Sequence, residues 1–459
     1  MALHPFRESI LRLALRNLTR NKRRNLATAS AVVLGFAALI VAGGFYQAME
    51  SFFATYTVYI TRVGHLTIYQ KGGFDRYATA PQRFGLSQDA QATLTRVLAG
   101  NAAVSFSGGQ FIATGLIGNG CRTLPFIATG LDPQLDKALV SSPQMARLPD
   151  YIKRFARGRG LENFGPGEGA VILASGLALR LGKPLVHDEL AGSLLVSMIP
   201  QCKGPDSRAE IARDSNVQLV AKTFTGRTAI IDGEVVAHFQ GGSKDIQRAG
   251  IVMPLLAMQA LYETDTVTIW SVWLKDATNL HAVQRQLAKS LEDEGLTVDI
   301  LPWTDGRVNP LYTGTINFFT AILVFLTLVL IGIVVLSIFN AASMTVIERA
   351  PEIGMMRSLG FTRGAISKIF AAESLILSVI AMLIGSTLAL AGIATVNHAN
   401  IHLTPPGIAG GTFLKVEPGW SVVLGVVALI TATTLSTALV AVKSVVRARI
   451  PSLLDGSRR

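Results

Sequence analysis

Charge is scarce in this sequence. Asp, Glu, Lys and Arg make up 16% of its residues, where a soluble globular protein carries about 25%. Half of the residues are hydrophobic and the mean hydropathy is +0.42. An all-soluble protein is therefore excluded in favour of a membrane protein with a soluble part. Catalytic motifs are missing too. There is no G-x-x-x-x-G-K-[ST]; GGSKD at 241–245 has a glycine pair and Lys244 but no Ser or Thr after it, which excludes ATP binding by a P-loop. G-x-S-x-G and H-E-x-x-H are absent as well. His65, His187, His238 and His281 are scattered, and His398 and His402, four apart, lack a third ligand and a general-base Glu, so no metal site is expected. The chain shows no catalytic constellation.

Four apolar runs are long enough to cross a bilayer: Leu26–Met49, Ile316–Met344, Leu375–Val396 and Trp420–Val442. None contains Asp, Glu, Lys or Arg. Proton-driven carriers and ion channels keep such residues inside the membrane, so both are disfavoured. Glu373, just before the third run, is placed at the interface. The first run exceeds a signal-peptide core and no cleavage site follows Gly43 and Gly44, so it is read as a retained span. The runs divide one plus three around some 265 residues of mixed sequence. No internal repeat is evident, which argues against an inverted-repeat carrier.

The net charge of +12 lies at the edges of these runs. Arg7, Arg12, Arg16, Arg20, Lys22, Arg23 and Arg24 precede the first, against a lone Glu8. Arg349, Arg357, Arg363 and Lys368 lie between the second and third, and Lys443, Arg447 and Arg449 follow the fourth. The 397–419 connection has Lys415 alone. The positive-inside rule puts both termini and the 345–370 segment in the cytoplasm and the large domain outside. Cations that track the membrane edge point to anionic lipid, not to nucleic acid. Residues 7–24, with Leu11, Leu15 and Leu18 on one face, read as an amphipathic helix on the cytoplasmic surface. Cys121 and Cys202, the two cysteines, both fall in the outside domain, where an oxidising compartment permits a disulfide; two buried free thiols are the alternative.

In the outside domain, residues 57–72 read as a strand, 86–98 as a helix capped by Ser87, and 111–120 with 122–130 as two strands about a glycine turn. Residues 169–182 pass from strand to a helix closed by Gly182. NVQLVAKTF and TAIIDGEVVAHF are assigned to a hairpin about Asp232-Gly233. Residues 251–263 read as helical, 266–274 as a strand, 279–295 as an amphipathic helix and 297–303 as a closing strand; 141–168 is an insertion or flexible loop. The fold class is a membrane protein of four transmembrane α-helices plus a large extracytoplasmic α+β domain between helices one and two.

Small residues recur every fourth position in the last two runs, at Ala381, Gly385 and Ala389 and at Ala428, Ala432 and Ser436. Such faces let helices approach closely, within the chain or across a dimer.

The most patterned polar stretch is ERAPEIGMMRSLGFTRG, 348–364. Pro351 suits the first helical position, Glu352 the positive end of the dipole, and Gly360 the position just past the end, which predicts a helix over 351–359. Thr362 caps the next helix, with Phe361 and Ile366 at hydrophobic-staple spacing. A helical wheel groups Glu352, Met355, Met356 and Leu359, with Gly354 and Ser358 roughly opposite and Arg357 and Ile353 between them. A Met-rich face suits a groove on another protein; lipid headgroups serve it equally.

The run VIERAPEIGMMRSLGFTRGAISKIFAAESLIL, 346–377, resembles the signature of FtsX-like permeases, the membrane subunits of MacB-type and Lol-type ABC transporters. Glu348, Arg349, Glu352, Ile353, Gly354, Arg357, Ser358, Leu359, Gly360 and Glu373 match it. LALRNLTRNKRRNLAT, VGHLTIYQKG, AVILASGLALRLG, VMPLLAMQAL and ARIPSLLDG also resemble family segments. The resemblance implies a permease without a fused ATPase. Two protomers, alike or different, would bind a cytoplasmic ATPase dimer that holds the ATP and Mg, this chain having no cofactor. Its partners would be that ATPase through Glu348, Arg349, Glu352, Gly354, Met355, Met356, Arg357, Leu359 and Gly360, with Met355, Met356 and Leu359 as anchors. A periplasmic carrier or membrane-fusion protein and the lipid bilayer complete the set; nucleic acid is not among them. ATPase closure would move the outside domain, a process called mechanotransmission, to extract or export a lipophilic cargo such as a lipoprotein. Drug or peptide efflux in a tripartite pump, or activation of a cell-wall hydrolase across the membrane, are the alternatives.

The implied layout in the inner membrane is a cytoplasmic basic helix (1–25), span one (26–50), a periplasmic MacB-like domain (51–315) and span two (316–346). The coupling helix and loop (347–370), span three (371–397), a short periplasmic loop (398–419), span four (420–443) and a cytoplasmic tail (444–459) follow.

Overall fold

The computed structural model describes residues 22–146, 157–165, 167–183, 211, 214–240, 243–403 and 412–446. The amphipathic helix expected over 7–24 lies almost wholly outside them, as do Cys202 and most of the C-terminal tail. The chain divides into two compact units: residues 1–51, 316–403 and 413–459 form one, and 52–315 with 404–412 the other.

The first unit holds the four apolar runs. They lie in the helices Lys22–Thr55, Pro310–Glu348, Arg363–His398 and Trp420–Val446, here called the first to fourth long helices. All four are long and apolar enough to cross a membrane. Val32, Phe36, Ala37, Leu39 and Ile40 of the first pack with Val334 and Ile338 of the second, Ala381, Met382 and Ala389 of the third and Ile430 of the fourth. Gly385 makes that approach possible: a Cβ there would lie 3.0 Å from Phe36 Cδ1 and 3.0 Å from the Val33 carbonyl oxygen. The small-residue face of the third helix is thus an intrachain contact with the first. Ala428, Ala432 and Ser436 of the fourth helix are exposed instead.

The second unit is built on a ten-stranded mixed sheet. Its strands are β1 (Leu66–Gln70), β2 (Val104–Gly118), β3 (Thr123–Leu131), β4 (Arg157–Gly158), β5 (Ala170–Ala174), β6 (Asn216–Lys222), β7 (Thr228–Phe239), β8 (Gly250–Pro254), β9 (Ile269–Leu274) and β10 (Val298–Pro302). Two subassemblies share β2. In one, the order β10-β1-β9-β2 is antiparallel throughout, with Gln88–Ala99 joining β1 to β2 and Leu280–Asp293 joining β9 to β10. That is a split β-α-β arrangement. In the other, β2, β3, β8, β5, β7 and β6 pair in a closed circuit, β6 returning to β2. Closure leaves these six strands no free edge. The length of β2 serves both: Val104–Gln110 pairs β9, Gln110–Gly118 pairs β3.

The helix Gln88–Ala99 starts where Ser87 accepts from the Ala90 N–H, as expected. Leu280, Val283, Leu287 and Leu291 form the buried stripe of the amphipathic helix. Every residue of β9 is buried, and Trp273 near its end stacks on Phe106 at 5.0 Å and donates Nε1–H to the Val58 carbonyl.

Three sequence readings change here. Residues 57–72 are not one strand: Tyr56–Ile60 is a buried π-helical turn, and Arg62, at φ +63°, turns the chain before β1 begins at Leu66. The Arg62 guanidinium pays for this left-handed backbone with a buried 3.1 Å ion pair to Asp136. The hairpin β6–β7 turns at Thr223–Arg227 with Gly226 at φ +89°, while Asp232-Gly233 lies inside β7 opposite Gln218 and Val217. Gly233 is required there because a Cβ would lie 2.7 Å from Val171 Cγ2, so its glycine reports packing, not a turn. Finally, 251–263 is helical only from Leu255; Gly250–Pro254 is β8, running parallel to β3 and fully buried. A strand buried on both faces is as apolar as a core helix, so periodicity does not separate them. The 141–168 segment contributes the short helix Pro143–Ala146 and the edge strand β4 among its described residues.

Candidate functional site

The second long helix ends at Glu348 because Pro351, lacking an N–H, cannot bond the Ile347 carbonyl. Arg349 leaves helical geometry at φ −98°, ψ 16° and caps a nine-residue helix, Ala350–Ser358, roughly 13 Å long at 1.5 Å per residue. It starts one residue before the expected position, so Pro351 is its second residue. Two bonds close its far end: Phe361 N–H to the Met356 carbonyl at 3.0 Å and Gly360 N–H to the Arg357 carbonyl at 3.1 Å. With Gly360 at φ +92° this is a Schellman closure, which a residue without Cβ adopts at no steric cost. The third long helix restarts at once, Thr362 accepting from the Ala365 N–H at 3.2 Å.

The inner face of the short helix is Ile353 and Gly354, both buried. Ile353 joins Val346, Ile366, Phe370 and Val442 in an apolar cluster, and Ala350 and Met356 pack against it. Gly354 thus lies opposite Met355 and Leu359, as the helical wheel groups it, whereas Met356 is partly withdrawn from the outer face by the apolar cluster. The outer face carries Glu352, Met355 at 56% exposure and Leu359 at 73%. Glu348 is exposed beside it and Arg357 half-buried in the last turn. Phe361, just beyond, is exposed as well. Two large apolar side chains, Met355 and Leu359, thus face outward from a helix packed on its other side.

A contact that sequence reasoning did not foresee ties this helix down. Arg349 Nη1 donates to Glu373 Oε2 at 3.3 Å, with the two side chains only 13% and 12% exposed. Ile366, Phe370, Glu373 and Leu377 fall three or four apart on one face of the third helix, and that spacing was the available signal. A cavity of about 50 Å³ adjoins Glu373, lined by apolar side chains such as Val32, Phe370 and Leu377 together with Thr28, Ser374 and Thr434. Elsewhere, Cys121 is disulfide-bonded.

Residues 312–450 match the family model of the FtsX-like permease C-terminal domain, a span that contains the short helix, both its flanks and Glu373. No curated protein matches the chain. Among solved structures it is similar to the periplasmic region of MacB from Actinobacillus actinomycetemcomitans, at 13% identity and a TM-score of 0.31, over 52% of this chain and 88% of that one. It is similar also to the extracellular domain of the noncanonic ABC-type transporter YknZ from Gram-positive bacteria, at 13% identity and a TM-score of 0.30, over 51% of this chain and 98% of that one.

Proposed function

We propose that this chain, whose residues 312–450 are an FtsX-like permease C-terminal domain, is the non-catalytic membrane subunit of a MacB/Lol-type ABC transporter. It works with a separate cytoplasmic ATPase that binds the ATP and Mg. The carrying observation is the clamped helix Ala350–Ser358 with Met355 and Leu359 turned outward between two membrane helices. Its first turn holds Glu352 and its last Arg357, so a partner groove meets an apolar pair flanked by opposite charges that set orientation. The cation-rich segments around residues 349–368 and 443–449 support a reading, by the positive-inside rule, with this helix in the cytoplasm and the sheet unit outside the inner membrane.

In this reading ATP-driven closure of a dimeric ATPase displaces the docked helices of two permease protomers, and the movement reaches the outside domains. The cargo is lipophilic, a lipoprotein for instance, handled outside the bilayer and not passed through charged groups within it. The four apolar runs, with no Asp, Glu, Lys or Arg, favour that over an ion-coupled route.

The test is purification of the full-length chain from its native membrane in mild detergent, reading ATP hydrolysis in the eluate. Met355→Asp and Leu359→Asp place a charge on the outer face without touching the inner cluster. Each is expected to lower co-eluting ATPase activity about tenfold or more, as loss of a central apolar anchor does. Undiminished activity in both variants overturns the docking. Orientation is read with a membrane-impermeant maleimide on Lys222→Cys, at the exposed end of β6; labelling of intact inner-membrane vesicles only from the cytoplasmic side overturns it.

A further inference from the structure

The outer face of the closed six-strand circuit carries one row that is apolar from end to end. Strand register sets Pro125 of β3 opposite Leu116 of β2, Leu116 opposite Val220 of β6, and Val220 opposite Ile230 of β7. Alternation along each strand turns all four outward: Leu116 is 45% and Ile230 56% exposed, Pro125 is exposed and Val220 half-buried. Polar side chains flank the row, Gln218 opposite Asp232 on one side and Thr114 and Lys222 on the other. Four strands about 4.8 Å apart make it roughly 14 Å long. A contiguous apolar strip with polar rims, unlike a single exposed side chain, calls for an occupant.

At its β3 end the row opens into a groove of about 570 Å³, within the size range of small-molecule sites. Leu116, Pro125 and Ile127 of the sheet line it, and the helices Ser175–Leu181 and Lys244–Ala249 add Arg180, Asp245 and Arg248. Arg180 Nη1 donates to the Arg248 carbonyl at 3.1 Å, and Arg122 Nη1 to the Arg180 carbonyl at 3.1 Å. Backbone oxygens thus hold Arg180 and Arg122 beside Arg248. A guanidinium has five N–H donors, and these contacts use only one on Arg180 and one on Arg122. Among the described residues none of the three arginines is ion-paired, and Asp245 offsets one charge without pairing any of them.

We propose that this groove and row seat an amphiphile with a single phosphate head: Arg180 and Arg248 take the phosphate, and the alkyl chain lies across Leu116, Val220 and Ile230. Guanidiniums bind phosphate oxygens through pairs of parallel N–H donors, and unpaired cations beside an open apolar floor select a head group of opposite sign. A phosphate monoester carries about −1.5 to −2 charges at pH 7, which suits two cations better than a carboxylate does. An uncharged oil leaves the guanidiniums without a partner, and a chainless phosphate leaves the strip in water. The inference deepens the reading of a lipophilic cargo by giving it a seat on this chain. It rests on that reading for the source of the amphiphile, while binding itself is measured without the ATPase.

The probe is dodecyl phosphate with a diazirine at its chain end, added to the full chain in phosphatidylcholine nanodiscs, photolysed and mapped by mass spectrometry. Adducts are expected on the peptides that hold Val220 or Ile230. The matching dodecanol probe is expected to label them about tenfold less, because it brings no charge to the guanidiniums. Arg180→Gln and Arg248→Gln are each expected to lower labelling by the phosphate probe about tenfold, through loss of a charge-assisted contact. Leu116→Asp is expected to lower it about tenfold too, by setting a carboxylate in the strip. Excess glycerol phosphate is expected not to displace the probe, since it has no chain to bury. Equal labelling by the alcohol, undiminished labelling in both arginine variants, or displacement by glycerol phosphate overturns the seat. The three side chains are exposed, and an unshifted melting temperature shows that each variant is folded. Should Leu116→Asp melt lower, Leu116→Ser decides: reduced labelling supports the strip and undiminished labelling overturns it. ATPase co-elution in Met355→Asp tests the docking separately, so either idea can fail while the other stands.

Discussion

The two units of this molecule put the same residue types in opposite places. In the sheet unit all six residues of β9, from Ile269 to Leu274, are buried. In the second long helix Phe325, Leu328 and Leu336 are 69%, 67% and 63% exposed, and 11% of its most apolar window is buried. Water drives large apolar groups inward in the first case. In the second, lipid tails are as apolar as leucine, so nothing is gained by hiding them, and the interior goes to residues that pack closely or bond across helices. Ala381, Gly385 and Ala389 do the packing there; Thr434 with Ser378, and Arg349 with Glu373, supply the polar contacts. Aromatics are buried in both units, Trp273 in one and Phe36 in the other, but in the helical unit they pack against small residues such as Ala381 and Gly385.

The sharpest way to break this contrast is truncation of one aromatic in each unit, followed by urea unfolding of the full chain in nanodiscs. Trp273→Ala removes a fully buried indole and is expected to cost the sheet unit about 3–5 kcal/mol. Phe325→Ala, at an exposed position of the second long helix, is expected to stay within about 0.5 kcal/mol. Equal losses would show that exposure does not separate the units.

A pH titration comes next. Burial pushes the His65 imidazole down from 6.5 to about 4, and its Nδ1 accepts from the Leu274 N–H at 3.0 Å. Between those values the unfolded chain takes up a proton that the folded one refuses. Stability from this group is complete above pH 6.5 and falls away as the pH drops towards about 4. At about 1.4 kcal/mol per pKa unit the loss is roughly 3 kcal/mol at most. His65→Asn keeps an acceptor without the titration, so a smaller acid-induced shift in the sheet unit's midpoint is expected; an identical shift would assign the effect to other groups.

Gly385→Leu tests the small-residue interior. With Phe36 Cδ1 and the Val33 carbonyl each 3.0 Å from the new Cβ, about 1–3 kcal/mol is lost, read as a lower melting temperature in nanodiscs. Ala432→Leu, on an exposed face of the fourth helix, is the matched control and is expected to be silent. The smallest effect is one the units should share. Gly360 at φ +92° and Gly226 at φ +89° both have open space around a Cβ, so alanine at either costs about 1 kcal/mol of backbone strain alone. Strain at a single residue does not depend on the solvent, and a large difference between the two would say otherwise.

Much of this was legible in advance. The four long helices follow from apolar length, and the short helix from Pro351, Gly360 and Thr362, whose effects act within one turn of chain. Asp232-Gly233 misled because a glycine needed for clearance from Val171 looks the same as one needed for a turn. The wheel groups Gly354 correctly opposite Met355 and Leu359 but not the partial burial of Met356, because it shows side chains and not the neighbours that cover them, and Ile366, Phe370 and Val442 come from two other helices.

By itself, then, the sequence determined the four long apolar helices, where the chain turns from second to third long helix, and which segment carries the family signature. Each is a matter of contacts between residues a few positions apart, or of transfer free energy summed along one run. The tertiary structure alone decided that β2 is shared between a split β-α-β sheet and a closed circuit of six strands. It also decided that the small residues of the third helix face the first, and that Arg349 meets Glu373. Those outcomes depend on which distant surfaces fit together, and packing of that kind leaves no periodic trace in the order of residues.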